Sequence, residues 1–324
     1  MKAMDILPTL KQLRHLVALA DNRHFGKAAK ACFVTQSTLS ASLKELEDVL
    51  QAPLVDRTNR RVAFTPLGEA TVARARRLLD EAQELVLAAQ DERAPLTGTV
   101  RLGVIPTIGP FLLPRILPAL REAWPKLKLY LREDQTEPLL EQLHAGRLDA
   151  VLLALPYDCG NVETAPLFKD RFSLALRRDH PLARAKRVDS SEVESETLLL
   201  LQEGHCLRGH ALSACRIGDK AHADAFEATS LPTLVQMVDN GLGVTLLPQL
   251  ALDAGILRGT DIVARPLEVD RPERDIALVW RKGTARKEEF QLLAREIAGL
   301  AGDFRLNGYS CARPGPRRWA PPAA

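Results

Sequence analysis

The sequence predicts an all-α helix-turn-helix unit with a small β wing, then a long linking helix, then an α/β domain. Three observations predict it: apolar residues at helical spacing fill the first 50 positions, a proline-free amphipathic stretch runs between Pro66 and Pro95, and beyond Gly98 short β-prone runs alternate with helical ones. At 324 residues, 46% hydrophobic and 26% charged, the chain is long enough for two or three domains with buried cores.

The elements follow in order. Leu13, Leu16, Val17 and Ala20 fall on one face of a helix over Leu10–Asp21, and Gly26, Ala28, Ala29 and Ala31 suit a short second helix, Phe25–Ala31, that packs closely. Leu39, Leu43, Leu46 and Leu50 give a strongly amphipathic third. Asp56–Pro66 reads as a wing-like hairpin around the β-prone piece Val62–Thr65. Val72, Ala75, Leu79, Ala82, Val86 and Ala89 keep a three-four alternation, which predicts a helix that pairs with a second copy of itself; the plainer alternative is a helix packed on its own domain.

Beyond Gly98, strands at Val100–Ile105, Lys128–Arg132 and Ala150–Leu155 alternate with a helix near Phe111–Trp124 and another after Arg132, the pattern of βαβ units and a parallel sheet. Further strands are expected at Phe172–Leu176, Thr197–Leu201, Val244–Leu247 and Ile276–Trp280, with a last helix near Lys287–Leu300. The expected domains are 1–66, a linking and dimerising helix 67–95, an α/β domain 98–301 and a disordered tail 302–324 rich in Pro, Arg and Ala.

Residues 1–65 hold 10 Lys or Arg against 6 Asp or Glu, a local +4 in a chain of net +3, so the remainder nets about −1. A positive excess in a small N-terminal block is the electrostatic footprint of a nucleic-acid module. Met1–Leu10 has no long apolar stretch, and no apolar run approaches the roughly 20 residues of a membrane helix, so a cytoplasmic protein with no membrane association is expected. Five cysteines, an odd number without metal-ligand spacing, argue against a disulfide framework and against a metal site; any disulfide should be redox-active.

Thr35, Gln36, Ser37, Thr38 and Ser40 crowd hydroxyl and amide groups at the start of the third helix, whose opposite face is leucine. Such a helix head reaches base edges and phosphates in a major groove, whereas helix capping accounts for only one of the five. Lys44, and Arg57, Arg60 and Arg61 in the wing, supply phosphate contacts.

The run from His24 through Ala29, Thr35–Ser40 and Leu43–Glu47 to Leu54, Arg57 and Phe64–Gly68 resembles the signature of LysR-type regulators. The resemblance implies a winged helix-turn-helix, a linker helix that dimerises, and an effector domain of two Rossmann-like lobes similar to the periplasmic binding proteins. It also implies a homodimer or homotetramer on double-stranded promoter DNA, acting with RNA polymerase, and no enzymatic activity.

The second informative stretch is Gly204–Arg208, with Cys215 nine residues after Cys206. A helix start after Gly204, with His205 and Arg208 nearby, would favour the thiolate of Cys206, the form that attacks peroxide. Were the intervening segment helical, the two Cα atoms would stand roughly 13 Å apart at 1.5 Å per residue, against a limit of about 7 Å for a disulfide. Spacing alone favours two unrelated buried thiols over a redox pair. The register of Gly204–Arg208 with Cys215 resembles the peroxide-sensing OxyR branch of the LysR family, as do Ile105–Pro110 with Leu112–Pro114, and Glu133–Thr136.

That resemblance implies a redox pair Cys206 and Cys215, a peroxide pocket of Thr107, Thr136, His205 and Arg274, and a glutaredoxin or thioredoxin system that reduces the disulfide, with no cofactor. Gly209–His210 departs from the acidic-amide pair of many relatives, and a glycine there weakens the helix by up to about 1 kcal/mol. Cys32 and Cys159 read as packing residues. The alternative is a LysR-type regulator controlled by a small organic effector in the cleft between the lobes, with the cysteines incidental.

Overall fold

A computed structural model of the chain describes residues 7–56, 62–88, 95–215 and 227–306. It divides into two compact units, one built on residues 1–93 and one on most of the remainder.

In the first unit, α1 (Leu10–Asn22), α2 (Phe25–Ala31) and α3 (Gln36–Leu50) are followed by the paired strands β1 (Val55–Asp56) and β2 (Ala63–Phe64) and by α4 (Pro66–Ala88). A capping box of Thr9 and Gln12 starts α1, satisfying backbone donors that the first turn leaves open. Leu13, Leu16, Leu19, Leu39, Leu43, Leu46 and Leu54 interlock as the core. The Glu47 carboxylate accepts both Leu54 N–H (2.8 Å) and Val55 N–H (3.1 Å), fastening the wing to α3. At Gly68 a Cβ would stand 2.1 Å from the Leu54 carbonyl oxygen, so only glycine lets α4 start against that segment.

Val72 and Ala75 are buried in this core and Leu79 packs against it. The heptad face expected to meet a second copy is therefore occupied within the chain over these positions, as in the plainer alternative. The side chain of Val86, and Ala89, lie outside the described residues.

The second unit carries one nine-stranded sheet in the order β4-β3-β5-β11-β6-β9-β7-β8, with β10 also paired to β6. Its elements are β3 (Gly98–Val104), α5 (Gly109–Ala123), β4 (Leu127–Glu133), α6 (Thr136–His144), β5 (Ala150–Leu155), β6 (Val162–Arg177), α7 (Ser190–Glu194), β7 (Leu198–Leu201), α8 (Cys206–Cys215), β8 (Glu227–Ala228), α9 (Leu231–Asp239), β9 (Val244–Pro248), α10 (Gln249–Asp253), β10 (Ile262–Pro266), β11 (Glu273–Arg281) and α11 (Lys287–Leu306). The parallel βαβ pairing expected of the first three strands is present, β3 lying parallel to β4 and β5, and β7 lies parallel to β8 and β9; the sheet as a whole is mixed, because β6 and β11 run antiparallel to their neighbours.

The 16-residue β6 binds the two halves, pairing through Val162–Arg171 with β11 and through Phe172–Arg177 with β9 and β10. Its first half is polar and partly exposed, so it lacks the apolar run by which its second half, at Phe172–Leu176, is recognised as a strand. The helix α11 extends beyond Leu300 to Leu306; the tail from Asn307 lies outside the described residues. Among the described residues no helix is long and apolar enough to cross a membrane, and no cluster of His, Cys, Asp or Glu is suited to a metal ion.

Candidate functional site

Asp170 on β6 and Arg274 on β11 are direct register partners in the antiparallel ladder that joins these neighbouring strands. Both side chains are fully buried. The Arg274 guanidinium donates through Nε (3.1 Å) and Nη2 (3.0 Å) to Asp170 Oδ2, and through Nη1 to the Thr107 hydroxyl (2.8 Å) and Nη2 to the Thr107 carbonyl (3.1 Å). The other carboxylate oxygen accepts Leu250 N–H at 2.9 Å. A buried ion pair survives only when its remaining hydrogen-bonding capacity is met in this way.

Thr107 follows β3 in the turn that starts α5. By accepting from Arg274 its hydroxyl keeps its own proton free to donate elsewhere. Thr136 opens α6, is 1% exposed, and its hydroxyl has no hydrogen-bond partner. Next to it, the Gln135 side chain packs on Gly204, where a Cβ would meet Gln135 Oε1 at 2.6 Å and φ is +91°. Only glycine serves there, and its left-handed turn delivers the chain into α8. The head of α6 and the head of α8 are thereby brought together.

Cys206 is the first residue of α8 and is partly exposed. A helix N-terminus presents unpaired backbone N–H groups and favours an anion. His205 is buried, and burial holds its imidazole below the ordinary value. That lowering works against the cationic support for Cys206 expected of His205; Arg208 is partly exposed two residues beyond Cys206. Helix α8 places Cys206 and Cys215 at opposite ends, nine residues and roughly 13 Å of rise apart; the Cys215 side chain lies outside the described residues.

Two residues that the sequence did not mark as functional belong to this centre. Asp170 is the counter-charge of Arg274, and its only signal is an acid two residues before the run Phe172–Leu176. His210 is buried, donates from Nε2 to the Pro156 carbonyl at 2.7 Å, and has no partner at Nδ1. Burial, then the charge of Arg274, lowers its pKa against the opposing Pro156 hydrogen bond. Cys32 and Cys159 are buried, and burial pushes both thiols up.

The head of α3 is a different kind of cluster. The Thr35 hydroxyl caps the helix by accepting Thr38 N–H at 3.2 Å and is hydrogen-bonded to the hydroxyls of Ser37 (2.9 Å) and Thr38 (2.8 Å). Gln36, Ser37, Thr38 and Lys44 are exposed and Ser40 partly so, while Leu39, Leu43 and Leu46 bury the opposite face. His15 of α1, fully buried, reaches Ser42 of α3 through Nδ1 at 2.8 Å and fixes the helix from behind. Arg57, Arg60 and Arg61 lie outside the described residues.

Comparison with known proteins gives two family matches: the bacterial regulatory helix-turn-helix of the lysR family over residues 10–69, and the LysR substrate binding domain over residues 93–301. The chain is 44% identical over 292 residues to the HTH-type transcriptional regulator EstR of Acinetobacter baylyi, covering 90% of this chain and 96% of that one. It is 41% identical over 288 residues to a hydrogen peroxide-inducible genes activator of Dickeya chrysanthemi, covering 89% and 94%. A solved full-length OxyR cysteine variant from Pseudomonas aeruginosa superposes with a TM-score of 0.79 at 38% identity, covering 90% of this chain and 98% of that one.

Proposed function

Because this chain belongs to the LysR family of bacterial transcription regulators, we propose that it is a peroxide-responsive regulator of the OxyR type. Peroxide converts Cys206 to a sulfenic acid, which condenses with Cys215, and the resulting disulfide changes how the protein holds promoter DNA to control antioxidant genes. The observation that carries this reading is the Thr136 hydroxyl, buried and without a partner, one residue from the Gln135 side chain that seats Gly204 two positions before Cys206. A buried hydroxyl left unpaired costs about 1–3 kcal/mol, which a small polar ligand that both donates and accepts would recover.

In this pocket Thr107 and Thr136 orient the peroxide, Arg274 acts through Thr107, and the head of α8 with Arg208 favours the Cys206 thiolate. His205 encloses the site as a neutral group. The thiolate attacks one peroxide oxygen; the O–O bond breaks, the S–O bond forms, and the other oxygen leaves as water after taking a proton. The Cys215 thiol then displaces water from the sulfenic sulfur. Since a disulfide spans no more than about 7 Å between Cα atoms, α8 must unwind for this step, and the oxidised protein differs in fold around residues 206–215.

For DNA, Gln36, Ser40 and Lys44 are the groups of the α3 head that its internal cap leaves free to read bases and phosphates, with Arg57, Arg60 and Arg61 on the backbone. Two copies bind a two-fold operator and pair into a tetramer; Leu67 and Leu78, about half exposed on α4, form the outward apolar face for that contact. RNA polymerase is the partner at the promoter, and a cellular dithiol system restores the thiols. The protein acts in the cytoplasm, where such thiols are kept reduced, and consumes peroxide stoichiometrically rather than as an enzyme.

Thiol mapping by mass spectrometry after one equivalent of peroxide tests this. A rapid Cys206–Cys215 disulfide, absent from Cys206→Ser and from Cys215→Ser, is expected. Unmodified Cys206 after prolonged exposure would overturn the reading in favour of a small organic effector.

A further inference from the structure

Cys159 has no part in the reaction above. Cys206 and His210 stand four residues apart on α8, so they share a face, with Cβ atoms about 5–6 Å apart. That face looks onto the segment after β5, because His210 Nε2 is held by the Pro156 carbonyl at 2.7 Å. Three residues further along the same segment lies Cys159, buried at 7% exposure, its thiol turned back to the Tyr157 carbonyl at 3.4 Å. The neighbourhood is close enough for charge on Cys206 to raise the pKa of both Cys159 and Tyr157.

Building on the peroxide reading of Cys206, we propose that Cys159 is a second resolving thiol, which captures the Cys206 sulfenic acid as a Cys159–Cys206 disulfide in competition with Cys215. The Cys159 sulfur attacks the sulfenic sulfur; the S–S bond forms, the S–O bond breaks, and the hydroxyl leaves as water with the proton that Cys159 gives up. Over both steps two thiols and one peroxide give one disulfide and two waters. The two partners differ in what they demand of the fold. Cys215 is at the far end of α8, whereas Cys159 lies three residues beyond the Pro156 carbonyl that holds the Cys206–His210 face of the helix, so on this proposal the second disulfide closes while the helix stays wound. Burial pushes the Cys159 thiol up, and only the thiolate attacks well, so burial slows the attack by Cys159. The Cys159–Cys206 form is an oxidised state in which α8 keeps its reduced conformation.

The test uses full-length Cys215→Ser treated with one equivalent of peroxide, followed by peptide mapping without reductant and by hydrogen exchange. The expected result is an intramolecular Cys159–Cys206 linkage, with α8 amides as protected as in the reduced protein. In Cys159→Ser/Cys215→Ser the linkage is lost, and Cys206 accumulates as a dimedone-reactive sulfenic acid. Sulfenic or sulfinic acid at Cys206 in Cys215→Ser, with Cys159 still alkylatable after denaturation, overturns the proposal while leaving the peroxide reading intact. A Cys206 that is inert in the unmutated protein overturns both.

Discussion

The ladder between β6 and β11 and the head of α3 each gather polar side chains, but they deal with water in opposite ways. Arg274 and Asp170 are wholly buried and satisfy each other, Thr107 and the Leu250 amide. Thr35, Ser37 and Thr38 satisfy one another on an exposed surface, where water can replace any of them. A polar cluster sealed inside is costly to disturb and holds a geometry; one at the surface is cheap to disturb and leaves side chains free to be exchanged for contacts with a partner.

The sharpest way to break this contrast is Asp170→Ala, which strands the Arg274 charge. A loss of about 3–5 kcal/mol in urea unfolding is expected; a loss below about 1 kcal/mol would show that water reaches the pair. Next in size is pH. Burial is the first cause lowering the pKa values of His15, His205 and His210, so below the unfolded value of about 6.5 the unfolded chain takes up protons that the folded one refuses. Stability is therefore level above that pH and falls as pH drops through 6.5 toward the lowered values, by at most about 1.4 kcal/mol per pH unit for each histidine. Urea midpoints at pH 7.5 and 5.5 measure it, and equal midpoints would contradict the assignment.

Thr35→Ala should cost about 1 kcal/mol, the ordinary worth of a helix cap, read from the melting of the isolated first unit or of the whole chain. The smallest stability effect is expected from Thr136→Val, which removes a hydroxyl that bonds to nothing: unfolding stays unchanged or shifts slightly upward, while Cys206 oxidation by peroxide slows at least about tenfold, a change worth about 1.4 kcal/mol in the barrier. If Thr136→Val destabilised the protein as much as Thr35→Ala, the hydroxyl would have a structural bond after all.

The two clusters were unequally legible in the sequence. The α3 head could be read because its leucine period and its cap lie within 15 consecutive residues, and α8 because Gly204 announces the turn before it. Arg274 and Thr107 were marked only through resemblance, and Asp170 was not marked, since a partner 104 residues away leaves no local period. The same holds for β6: its polar half is a strand only because β11 lies beside it. The heptad on α4 spoke for apolar packing but not for its partner, which over Val72, Ala75 and Leu79 is the core of its own unit.

The placement of β11 also dictates the order in which the molecule can be made. It is the strand wedged between β5 and β6, yet it is the last strand in the chain. The half of the sheet begun at Gly98 therefore stays open, with the inner edges of β5 and β6 unpaired, until Arg281 has been synthesised. Such long-range pairing is slow and leaves strand edges exposed to other chains. A nascent chain halted before residue 273 has neither a closed sheet nor a counter-charge for Asp170, and both are completed by the same nine residues.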